Sequence, residues 1–128
     1  MRESLERYND NTLTHRKRIL IIKKGKYYYT IKTNEIAFIY TQDDLTYIVD
    51  KEGKKFFCSP TLNKIEEELD NHFFRANRQC IINIDFIKAF QHFEKTKLVV
   101  EMKVDDPKNI VQISQVTAPK FRDWISSF

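Results

Sequence analysis

Asn71-His72-Phe73-Phe74-Arg75-Ala76-Asn77-Arg78-Gln79-Cys80-Ile81-Ile82-Asn83-Ile84-Asp85-Phe86-Ile87 is the stretch around which the chain is organised. Its middle, Arg75-Ala76-Asn77-Arg78-Gln79, reads as a short polar turn. Phe73 and Phe74 anchor it on one side, and Ile81, Ile82 and Ile84 on the other. Arginine can pair two hydrogen bonds with guanine, and asparagine or glutamine can do the same with adenine. A rigid turn presenting all three is equipped to read base edges.

Upstream of the turn, Ser59-Pro60 announces a helix of about residues 59–70. Serine caps a helix N-terminus and proline suits the first helical position. Leu62, Ile65 and Leu69 recur at helical spacing, opposite a polar face of Glu66, Glu67, Glu68 and Asp70. Phosphates repel such a face, so this helix is expected to be scaffold that aims the turn.

Downstream, residues 81–90 are densely apolar and predict a central strand. Glu94-Lys95-Thr96-Lys97 is a hairpin loop leading to residues 98–104. There Leu98, Val100, Met102 and Val104 alternate with Val99, Glu101 and Lys103, the period of a strand. Asp105-Asp106-Pro107-Lys108-Asn109 is a turn by composition, before a last strand at 110–113. A short C-terminal helix over about 117–126 follows, with Thr117 as cap and Pro119 in its first turn. Phe121, Trp124 and Ile125 form its apolar stripe and read as core.

Before the first helix the chain is a β-meander, with strands expected at 19–22, 27–31, 36–40, 45–50 and 55–58. Lys23-Lys24-Gly25-Lys26 supplies the first turn, with glycine where a positive φ is needed. Tyr27 and Tyr29 fall on one face of their strand and Tyr28 on the other. Arg16-Lys17-Arg18 suits a charged, guarded strand edge. Residues 1–14 lack apolar periodicity and read as a flexible leader or linker, leaving 15–128 as the domain. The fold class expected is therefore mainly β and antiparallel, with one central helix and a short C-terminal one.

A chain of 128 residues with net charge +4 is one domain with room for a core, mildly suited to polyanions. Cys58 and Cys80 lie among apolar residues without CxxC spacing, which suggests reduced, packed thiols of a cytoplasmic protein. His15, His72 and His92 are scattered and offer no zinc set. The longest apolar run, Ile19-Leu20-Ile21-Ile22, is too short for a membrane span, and no signal peptide is visible. No P-loop, dinucleotide fingerprint, HExxH or GxSxG occurs, and Gly25 and Gly53 are the only glycines. Neither an enzyme nor a cofactor site is expected.

The helical segment at 59–69 followed by Phe73-Phe74-Arg75-Ala76-Asn77-Arg78-Gln79-Cys80-Ile81-Ile82-Asn83 resembles the LytTR family of bacterial DNA-binding domains. The resemblance covers roughly residues 17–125 and implies an elongated β arrangement whose loops, instead of a recognition helix, contact DNA. It implies that Arg78 is the principal base reader, with Asn77 and Gln79 at neighbouring positions that touch bases or phosphates. Residues 41–46, including Thr46, correspond to a second contact loop, and Ser114-Gln115-Val116-Thr117 to a third. Arg75 and Lys120 are further DNA-binding candidates, Lys120 for a phosphate and Arg75 with helix carboxylates as rival partners. Asn83 matches a family asparagine expected to tie the turn to a strand.

Two departures bear on specificity. Asp43 and Asp44 stand where the family is small, polar or basic, and Gln115 stands where arginine is common. The implied partner is double-stranded DNA, bound for transcription regulation by the output domain of a two-component response regulator. A receiver domain N-terminal to this chain in a longer protein, and a second copy on repeated sites, are the other partners implied. Two rival readings remain: a β-rich protein-interaction module with incidental charge, and a single-strand binder using Tyr27, Tyr28 or Tyr29 as stacking platforms.

Overall fold

The computed structural model describes residues 18–94 and 97–128. The leader at 1–14, Arg16, Lys17 and the loop residues Lys95 and Thr96 lie outside the described residues. The strands are β1 (Ile19–Lys24), β2 (Tyr27–Lys32), β3 (Ile36–Gln42), β4 (Leu45–Asp50) and β5 (Lys55–Cys58), then β6 (Phe73–Asn77), β7 (Cys80–Asn83), β8 (Ile87–Phe93), β9 (Lys97–Met102) and β10 (Ile110–Ile113). Helix α1 (Leu62–Glu66) separates β5 from β6, and α2 (Ala118–Ser126) ends the chain. All pairings are antiparallel: a central sheet β5-β4-β3-β7-β6, a hairpin β1-β2, and a three-stranded sheet β10-β9-β8. The mainly β class expected from the sequence is the class found.

Strand alternation gives the central sheet two buried faces. Ile39 pairs with both Ile48 and Ile81, and these face a core closed by Leu20 and Ile22 of β1 and by Leu62 and Ile65 of α1. One residue earlier, Phe38 pairs with Val49 and Ile82. This set faces a second core, closed by Leu98, Val100, Met102, Val111 and Ile113 of the three-stranded sheet and by Phe121 of α2. A continuously apolar strand such as Ile36–Tyr40 is what burial on both sides demands.

Three expectations need correction. Residues 81–90 are not one central strand: the chain leaves the central sheet at Asn83, makes a 3₁₀ turn over Ile84–Phe86, and continues as β8 in the three-stranded sheet. Asn83 is the cause. Its Oδ1 accepts from the Asp85 amide (3.0 Å), and its Nδ2 donates to the Ile36 carbonyl (2.8 Å). β8 is an edge strand with most of its residues exposed. The regular part of α1 is shorter than 59–70 and is capped by Thr61, whose hydroxyl accepts from Lys64 N (3.2 Å). Finally, Phe73–Asn77 is a strand with a bulge at Ala76, so only Arg78 and Gln79 form the connection.

At α2 the cap position is the expected Thr117, but its side chain makes no capping bond. Ser114 Oγ accepts from the Thr117 amide instead (3.3 Å).

The β3–β4 connection is a two-residue turn, because Gln42 pairs with Leu45. Asp43 (φ 53°) and Asp44 (φ 62°) both lie in the left-handed region, as type I′ hairpins require. Aspartate tolerates this region less well than glycine. Asp44→Gly is expected to stabilise the domain by about 0.5–1 kcal/mol, a rise in Tm of a few degrees in a thermal melt. An unchanged or lower Tm would show that the turn holds no such strain.

Candidate nucleic-acid interface

The β6–β7 turn is built from its own side chains inward. Arg75 Nε donates to Asn77 O and Nη2 to Arg78 O, both at 2.8 Å, while Nη1 reaches Asn63 Oδ1 (2.9 Å) and Glu66 Oε1 (2.8 Å) on α1. One guanidinium thus holds two turn carbonyls and ties them to the acidic helix. Asn77 Oδ1 accepts from the Gln79 amide (2.8 Å), closing the turn from inside. These bonds leave Arg78 and Gln79 exposed at the tip. The Arg78 guanidinium has no hydrogen-bond or ion-pair partner among the described residues.

Two further bonds join this tip to the other two loops. The Thr41 amide donates to Gln79 O (2.9 Å), fixing the start of the Asp43-Asp44 turn beside it. On the other flank Asn77 Nδ2 donates to Gln112 O in β10 (2.8 Å). Two residues on, the segment Ser114-Gln115-Val116-Thr117 turns into α2, with Gln115 and Lys120 exposed and Thr117 half-buried. The three segments named from the sequence are therefore assembled at one end of the central sheet.

Not every candidate residue is available there. Thr46 is buried (4 % exposed), and its hydroxyl donates to Pro60 O at 2.7 Å. A DNA contact from Thr46 is corrected on that ground: β5 at Cys58 and the chain at Pro60 cover it. Arg75 and Asn77 engage their polar atoms with the turn, with α1 and with β10, and Asn83, 1 % exposed, ties β7 to β3. Their chemistry is that of positioning.

Sequence reading did not identify Gln112, and it named Ser114 only as part of the third loop. Gln112 acts through its backbone carbonyl, which no side-chain pattern signals. Ser114 stands three residues before Thr117, and its hydroxyl accepts from the Thr117 amide at the entry to α2, a role the sequence reading of the third loop did not give it.

Elsewhere the described residues offer little chemistry. Cys58 and Cys80 are unpaired and buried. Burial pushes the Cys58 thiol up to about 11 and that of Cys80 up to about 12, so both are inert as nucleophiles. No three metal-ligating side chains converge among the described residues, and no described helix is long and apolar enough to cross a membrane.

Because the Arg75 guanidinium is engaged by two turn carbonyls and by α1, Arg75→Ala is expected to destabilise the domain by about 1–3 kcal/mol in urea unfolding. DNA affinity should weaken with the base preference retained. Unchanged stability together with blurring at a single base would make Arg75 a reader instead.

The fold and these residues can be set against known proteins. No curated protein matches the chain. A solved structure from Bacillus cereus, described as the LytTr DNA-binding domain of a putative methyl-accepting/DNA response regulator, superposes with a TM-score of 0.70. The two share 23% identity over 85% of this chain and 97% of that one. The family model for the LytTr DNA-binding domain matches residues 26–126, which include the Arg75–Asn83 hairpin and both neighbouring segments. The chain belongs to the LytTR family of DNA-binding domains.

Proposed function

We propose that this chain binds double-stranded DNA sequence-specifically, as the transcription-regulating output domain of a two-component response regulator in the cytoplasm. One observation carries the reading: a braced hairpin tip offers an unpaired guanidinium at Arg78, with the strands that lead into two further polar loops hydrogen-bonded to its flanks. Arg78 reads a base edge in the groove, and Gln79 and Gln115 add neighbouring polar contacts. Lys120 holds a phosphate as a point charge and Thr117 lies beside it, setting the register in which bases are read. Arg75 and Asn77 serve binding by fixing the tip. A receiver domain N-terminal to this chain, and a second copy on repeated sites, are the partners that reading implies.

Binding is tested by titrating fluorescent duplex and single-stranded forms of the same sequences at several salt concentrations. Preference for one duplex, with affinity falling steeply as salt rises, is expected. Equal or tighter binding of the single strand would favour stacking on the exposed Tyr27, Tyr28 and Tyr29. Salt-independent absence of DNA binding would favour a protein-interaction module.

A further inference from the structure

Between Arg18 and Asn34 the chain carries Arg18, Lys23, Lys24, Lys26 and Lys32 and no acidic residue. The four lysines lie in the β1–β2 hairpin, whose turn is Gly25-Lys26 with Gly25 at φ 64°, and Arg18 directly precedes it. Lys23, Lys24 and Lys26 are exposed, and none forms an ion pair among the described residues. Lys24 Nζ sits 3.9 Å from the Phe57 ring centroid, so its ammonium is held beside β5 by a contact that leaves the charge in place.

The topology sets where these charges lie. The Lys23 carbonyl accepts from the Ser59 amide (3.3 Å). Ser59 follows Cys58, which pairs with Thr46, the second residue of β4 after the Asp43-Asp44 turn. The hairpin tip is therefore at the same end of the central sheet as the candidate interface, beyond β5, while Arg78 lies at β6–β7 on the far side. With strands about 4.8 Å apart, the four spacings from β6 to β5 amount to roughly 20 Å. That is somewhat more than half of the roughly 34 Å helical turn of B-DNA. Between the two clusters stand Asp43 and Asp44, which repel phosphates and so separate them electrostatically.

We propose that the Lys23-Lys24-Gly25-Lys26 tip is a second contact on the same duplex, gripping backbone phosphates that flank the bases read by Arg78. The inference rests on the duplex-binding reading above and adds to it a longer footprint. A second copy of this chain is a poor occupant of the β2 edge, because antiparallel pairing would bring Lys26 and Lys32 of both copies together. A duplex backbone fits the charge.

The test uses the full chain and its K23Q/K24Q/K26Q variant, with a thermal melt to show that both fold. Each is titrated against a minimal selected duplex and against the same duplex extended by about 10 base pairs on each side, one further helical turn. The wild type is expected to bind the extended duplex more tightly. Its salt slope there should be steeper by about 2–3, close to 0.9 for each phosphate neutralised. The variant should bind both duplexes alike, lose affinity by about tenfold on the longer one at low salt, and select the same bases. A wild type that selects a sequence, with a variant of unaltered slope and affinity, overturns the hairpin contact alone. A wild type that selects no sequence overturns the underlying reading.

Discussion

Phe121→Ala is expected to lower the unfolding free energy by about 3–5 kcal/mol, a large share of a small domain's stability. The ring is fully buried and meets Phe90 at 5.1 Å, Phe74 at 5.7 Å and Trp124 at 5.8 Å between centroids. It links α2 to β6 of the central sheet and β8 of the outer one. Trp124 is held back from the space by the 2.7 Å bond from its Nε1 to Asn71 O. Urea unfolding measures the loss, and Phe121→Leu should recover most of it because the larger side chain leaves a smaller void. A loss below about 1 kcal/mol for the alanine variant would mean that α2 is not the keystone of this core. Because α2 follows directly on Ser114-Gln115-Val116-Thr117, the same variant should loosen the third loop and weaken DNA binding.

Arg78→Ala should behave in the opposite way. The side chain is exposed and makes no bond among the described residues, so stability should stay within about 0.5 kcal/mol. Affinity for the preferred duplex should fall by about 1–3 kcal/mol, or roughly five- to 150-fold, in an anisotropy titration. Binding to random duplex should fall far less. Equal losses on both would reduce Arg78 to a phosphate contact.

The five N-terminal strands, their turns and the C-terminal helix were legible because strand alternation, Gly25 and Gly53, and the Thr117-Ala118-Pro119 start leave local marks. That the first two strands form a hairpin apart from the central sheet, instead of continuing one meander, was not legible. The division of residues 81–90 was not legible. Hydrophobicity cannot show a change of sheet when both halves are apolar, and the break depends on one asparagine reaching Ile36, 47 positions away. The brevity of α1 was hidden similarly: Glu67 and Glu68 favour helix locally, but the chain has to turn so that Phe73 can pair with Asn83.

At the site, Arg78 and Gln79 were readable as exposed polar residues between apolar anchors. The roles of Arg75 and Asn77 were not, because they depend on carbonyls at Asn77, Arg78 and Gln112 that no side-chain pattern reveals. Thr46 misled because its burial comes from Cys58 across the sheet and from Pro60, 14 positions away, whose carbonyl its hydroxyl reaches.

The central claim is that Arg78 reads a base from a braced turn. Its most direct test is selection from a randomised duplex pool with the wild type and Arg78→Ala in parallel. A defined motif is expected for the wild type and the same motif, blurred at one position, for the variant. Identical motifs from both proteins, or no motif from the wild type, would contradict it.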